Sequence, residues 1–108
     1  MMAGTIAVTP QVRWSAAGWL FDWTLGFLAE RVTDPKVAAG IKEVVSENLG
    51  WLGLEDFGPG AARELRTLIG EHLLTAAEQE LPAELTSRSQ ALNLLGELVS
   101  DVGGVKPA

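Results

Sequence analysis

The chain contains no cysteine in its 108 residues. This absence excludes disulfide bonds, thiol nucleophiles and thiolate metal sites. Tyrosine is also absent, and His72 is the only histidine, which excludes a metal site built from several histidines of one chain. Because the side chains that usually carry out catalysis or bind metals are so scarce, we expect no enzyme activity, no metal site and no cofactor.

Positive charge is also scarce, since 8 lysine and arginine residues stand against 14 aspartate and glutamate residues, for a net charge of −6. A nucleic acid partner requires a basic surface and is therefore excluded, and binding to anionic lipid is disfavoured for the same reason. A basic protein partner is compatible with this charge. The first residues lack the basic and long apolar regions of a signal peptide, so we expect a cytoplasmic protein. The composition resembles that of bacterial proteins from high-GC genomes.

The segment from Trp14 to Val32 is apolar on nearly every side and holds three of the four tryptophans. Its apolar residues recur at steps of three and four, which predicts one helix from about Val12 to Val32. Such a helix must be buried in a bundle, against a partner or in a membrane. The membrane interpretation is disfavoured, because the stretch is shorter than the roughly 20 residues that span a bilayer and has Asp22 at its middle.

Three further amphipathic helices are predicted, over residues 35–48, 59–80 and 88–102. Asp34 and Pro35 supply an N-cap and a first helical residue for the second helix. The sequence Ser87-Arg88-Ser89-Gln90 matches a capping box at the start of the fourth.

These segments predict an all-α fold, a compact four-helix bundle over residues 14–102 with the apolar first helix at its centre. Residues 1–13 are expected to form a short extended arm, and residues 103–108 a flexible tail. Ile6 and Val8 alternate with smaller residues, which permits one short strand in the arm. A lone strand needs a partner edge, which a second copy of the chain would supply.

Large apolar side chains supply the candidate contact residues. In the first helix Trp19, Trp23 and Phe27 lie four apart and share one face. That face is core, the lining of a ligand cavity, or an interface, where tryptophan is enriched. The hypothetical interface comprises Trp14, Trp19, Trp23 and Phe27 of the first helix and Trp51, Leu54 and Phe57 of the connector that follows the second.

Polar candidates are few. Glu64, Glu71 and Glu78 are seven apart on the third helix, and they form either a solvated face or a docking face for a basic partner. Asp22 lies on a solvent-facing strip, pairs with an arginine (Arg63, Arg66 or Arg88), or has a ligand-binding or catalytic role. His72 is a structural histidine, a surface histidine or a functional group.

We therefore predict a non-enzymatic protein–protein interaction module, such as an adaptor, an inhibitor or a recognition domain. It is expected to self-associate as a homodimer through the aromatic face of its first helix. The alternative is a helical bundle that binds a small ligand in a cavity lined by Trp19, Trp23 and Trp51.

Overall fold

Four helices and a three-stranded sheet make up residues 3–104, which are the residues that the computed structural model describes. In chain order the elements are β1 (Ala3–Ala7), β2 (Arg13–Ala17), α1 (Gly18–Arg31), α2 (Pro35–Ser46), β3 (Trp51–Gly53), a 3-10 helix (Leu54–Phe57), α3 (Pro59–Glu80) and α4 (Arg88–Gly103). Met1, Met2 and the last four residues of the expected tail lie outside the described range. None of the described helices has the length and apolarity needed to cross a bilayer.

The sheet has the order β2-β1-β3, so the segment predicted to be a free arm is its central strand. β1 pairs with β2 antiparallel, from Ala3 opposite Ala17 to Ala7 opposite Arg13, and pairs with β3 in parallel. The prediction of an all-α four-helix bundle is therefore wrong. The single predicted strand has two partner edges within its own chain and does not need a second copy.

A tight turn joins β1 to β2 and explains why the first helix starts later than predicted. Val8 N–H donates to the carbonyl of Val12 at 2.8 Å, and the Thr9 hydroxyl accepts from Val12 N–H at 3.1 Å. Pro10 lies within this turn, so β2 follows it where the helix was predicted to begin. The helix itself starts at Gly18.

The inner face of the sheet packs on α1. Gly4 lies directly against the ring of Phe21, and a Cβ at position 4 would overlap with that ring. Glycine is therefore the residue that allows β1 and α1 to approach this closely. α1 also contacts β2, α2 and α3, and the buried side chains of all these elements form one hydrophobic core.

The later helices lie close to their predicted positions, with one difference at a cap. The Asp34 carboxylate accepts a hydrogen bond from Lys36 N–H at 2.8 Å, and Pro35 is the first residue of α2, which confirms the predicted N-cap. Ser87 is the N-cap of α4, but its side chain makes no capping hydrogen bond, so the predicted capping box does not form.

Candidate functional site

The outer face of the sheet, which points away from α1, is the candidate functional surface. Because side chains alternate along a strand, the neighbours of buried Ile6, Trp14 and Leu52 lie on this outer face. One row across the three strands consists of Ser15, Thr5 and Trp51. Ser15 and Thr5 join their hydroxyl groups at 2.9 Å. The row therefore presents two small hydroxyl residues beside one large indole.

Trp51 is the largest side chain on this face, and it is 41% exposed. The guanidinium carbon of Arg13, on the far strand of the sheet, stands 5.4 Å from the centroid of its ring. This distance is within the range of a cation–π interaction. Leu49, in the segment that precedes β3, is also exposed, at 59%.

A cavity of about 190 Å³ lies next to Trp51, where β1 and β3 end. Ala7, which is almost fully buried, contributes to it from the centre of the sheet. Its remaining lining residues are Thr9, Pro10, Arg13, Trp51, Gly53, Glu55 and Asp56. The carboxyl ends of parallel strands are a common location for binding sites in sheets, because the loops that follow the strands converge there.

Both signs of charge line the cavity without an ion pair between them. Asp56 folds back over Gly53, and a Cβ built on Gly53 would stand 2.5 Å from one Asp56 carboxylate oxygen. Arg13, Glu55 and Asp56 make no salt bridge within residues 3–104, where both ion pairs involve Arg31. The cavity therefore offers an aromatic wall together with carboxylates that no cation neutralises.

The structure brings together only two of the four aromatic residues predicted on the first helix, Trp23 and Phe27. Trp14 lies on β2 and points into the core, where its Nε1–H donates to the carbonyl of Leu94 at 2.7 Å. Trp23 stacks on Phe27 with ring centroids 6.1 Å apart, and Arg31 covers the Phe27 ring at 4.3 Å. Only Trp19 of this set is strongly exposed, at 43%.

The connector residues also divide between core and surface. Leu54 is fully buried in the 3-10 helix. Phe57 is half-buried and packs on Gly40 of α2, where a Cβ would stand 2.7 Å from its ring. Trp51 alone of the predicted connector residues is strongly exposed. Trp19 and Trp23 do not line its cavity, so the three tryptophans of the alternative prediction share no pocket there.

The predicted acidic face has one member with a structural contact. The Glu64 carboxylate accepts hydrogen bonds from the Thr33 backbone N–H at 3.2 Å and from its hydroxyl at 3.1 Å, which ties α3 to the α1–α2 connection. Glu71 and Glu78 are exposed. The three carboxylates are therefore not equivalent.

Asp22 and His72 are both exposed and lie in different places. Asp22 lines a groove of about 280 Å³ between α1 and α2, which also holds Lys42. It makes no ion pair with any arginine of the described chain. His72 lines a depression of about 370 Å³ beside Arg31. No cluster of three or more histidine, aspartate or glutamate residues in the described range could hold a metal ion.

Comparison with models of protein families, with curated proteins and with solved structures finds no match to this chain. The candidate site is therefore inferred from its geometry alone. Sequence reasoning named Trp51 but missed Arg13, Glu55 and Asp56. The alternation of Arg13 and Ser15 with apolar Trp14 and Ala16 was the available signal that this segment is a strand with an exposed face.

Proposed function

We propose that this chain is a non-enzymatic protein-binding module that contacts its partner with the outer face of the sheet. The observation that carries the proposal is the strongly exposed indole of Trp51 on an open sheet face, beside the guanidinium of Arg13. Tryptophan is among the residue types most enriched at the energetic centres of protein interfaces.

The side chains around Trp51 are short, which supports contact of this face with a protein. The residues beside Trp51 are Thr5, Ser15, Ala3 and Ala17, whose short side chains leave the indole prominent. A partner that buries the indole would remove apolar surface from water without disturbing the core behind the sheet. The cavity beside Trp51 has a volume of about 190 Å³, which suits anchoring of a single side chain.

The sequence predicts self-association through the first helix. We propose instead that the outer face of the sheet is the contact surface. Phe27 is only 3% exposed and Trp23 is half-buried, so Trp19 is the one strongly exposed side chain among these three aromatic residues. A second copy of the chain remains one of the proteins that the outer face of the sheet would contact. The expected cytoplasmic location is retained as part of this proposal.

Site-specific photocrosslinking tests the proposal. We would replace Ser15, an exposed residue of the outer face, with a benzophenone amino acid in cells that produce the full chain. We expect a discrete protein adduct that disappears in Trp51→Ala and persists in Trp19→Ala, whose exposure is nearly the same. The same amino acid at exposed Glu71 of α3 serves as the control position.

The mass of the adduct identifies the partner. An adduct of twice the chain mass would identify a second copy, and any other mass a different protein. Absence of an adduct, or an adduct that both tryptophan variants retain, would contradict the assignment of the contact surface to the sheet.

A further inference from the structure

We propose that the cavity beside Trp51 receives an arginine side chain from a basic segment of the partner, and that Arg13 competes with it for the indole. This inference rests on the proposed function and names the chemistry of its partner. It is carried by three features of the cavity, namely its carboxylates, its aromatic wall and the cation already present there.

The carboxylates are held where an incoming cation would meet them. Because Gly53 has no side chain, the Asp56 carboxylate lies against β3 at the edge of the cavity. Glu55 lines the same cavity. Neither forms a salt bridge in the described part of the chain, so both are available to a ligand. A guanidinium can donate two hydrogen bonds to one carboxylate, which an ammonium cannot do with the same geometry.

The indole of Trp51 is the second feature. It already has a guanidinium within 5.4 Å, which shows that its surroundings allow a planar cation to stack on it. The residue is 41% exposed, so part of the ring is open to a bound peptide. The wall and the carboxylates together match the planar, charged end of an arginine better than an uncharged side chain.

Arg13 determines the direction in which its own substitution should change the affinity for the ligand. It lines the cavity and carries the same charge as the proposed ligand, so it repels the ligand and competes for the ring. Removal of Arg13 is therefore expected to strengthen binding. Removal of Arg13 would instead weaken the binding of an anionic ligand. The net charge of −6 also favours the approach of a basic segment.

The experiment is an NMR titration of the ¹⁵N-labelled full chain with the peptide Ac-Gly-Gly-Arg-Gly-Gly-NH₂. The four tryptophan indole N–H signals act as internal reporters, and we expect the Trp51 signal to shift while those of Trp14, Trp19 and Trp23 do not. The same peptide with glutamine in place of arginine is the ligand control. Equal affinities of the arginine peptide and the glutamine peptide would overturn the proposal.

Variants separate the roles of the two charges. We expect Asp56→Asn to weaken peptide binding about fivefold and Arg13→Gln to strengthen it about threefold. Gly53→Ala should also weaken binding, since the added Cβ displaces the carboxylate while the backbone φ of −98° suits alanine. Glu71→Gln, which removes an equal charge elsewhere, is the matched control and should leave the affinity unchanged.

Two results would overturn the inference, namely weaker binding in Arg13→Gln or equal shifts of all four indole signals. The same spectra show whether each variant is folded, because a folded protein gives dispersed amide signals. Failure of this inference is distinguishable from failure of the proposed function. A Trp51-dependent adduct at Ser15 without arginine binding would mean that the surface binds a partner of other chemistry.

Discussion

Trp14 and Trp51 occupy opposite faces of one sheet and differ in everything that surrounds them. Trp14 on β2 is buried and its indole N–H is bonded to α4, whereas Trp51 on β3 is exposed and contacts the guanidinium of Arg13. The same residue type therefore stabilises the fold on the inner face and is available for binding on the outer face. The alternation of side chains along a strand is what separates these two roles.

Loss of the inner tryptophan is expected to have the largest effect. Trp14→Ala removes a buried indole and its hydrogen bond to Leu94, so we expect a loss of about 3–5 kcal/mol in the free energy of unfolding. Urea denaturation followed by circular dichroism measures this value. A loss below about 1 kcal/mol would show that Trp14 is not an anchor between the sheet and α4.

The close contact between sheet and helix gives the next largest effect. Gly4→Ala places a methyl group against the Phe21 ring, and overpacking of this kind should cost about 1–3 kcal/mol. Gly26→Ala in α1 is the matched substitution, because its Cβ would meet no atom within 4 Å. We expect it to stabilise the protein by about 0.5–1 kcal/mol, since alanine favours helix interiors. Thermal melts of both variants would test the opposite signs.

The distinction between anchored and free side chains extends to α3. Glu64→Gln weakens the hydrogen bonds that the carboxylate accepts from Thr33, and we expect a loss of about 1 kcal/mol. Glu71→Gln at an exposed position of the same helix should change stability by less than about 0.5 kcal/mol. Equal losses in the two variants, measured by urea denaturation, would refute the structural role of Glu64.

Loss of the outer tryptophan is expected to have the smallest effect on stability. Trp51→Ala removes an exposed ring and one surface cation–π contact, so we expect a loss below about 1 kcal/mol. The variant should remain folded and lose the Ser15 photocrosslink. A destabilisation as large as that of Trp14→Ala in the same urea experiment would show that both tryptophans stabilise the fold equally.

Helix periodicity predicted α2, α3 and α4 to within two residues of their observed ends, because each has a long amphipathic pattern and a clear start. The sheet could not be predicted in the same way. Its strands have only three to five residues, and β3 comes from a segment distant in sequence from β1. Trp14 and Ala17 also fit a helical step of three, so the pattern of the β2 segment was ambiguous.

The candidate site was predicted only in part for a related reason. Trp51 was named because of its size and type. Arg13 and Asp56 became its neighbours only through the strand register and the fold of the chain over Gly53. These are long-range relations that a local pattern does not contain.

The central position of β1 in the sheet determines the order in which its two edges are paired during synthesis. β1 and β2 form a hairpin of neighbours in sequence, but β3 is synthesised only after α1 and α2. Pairing of β1 with β3 therefore closes a loop that contains both helices, which is the slower kind of contact to form. On the ribosome, one edge of β1 stays open until Trp51–Gly53 emerges, and open strand edges invite pairing between chains. The surface around Trp51 is thus completed late, and a nascent chain that stalls before it would be prone to aggregation.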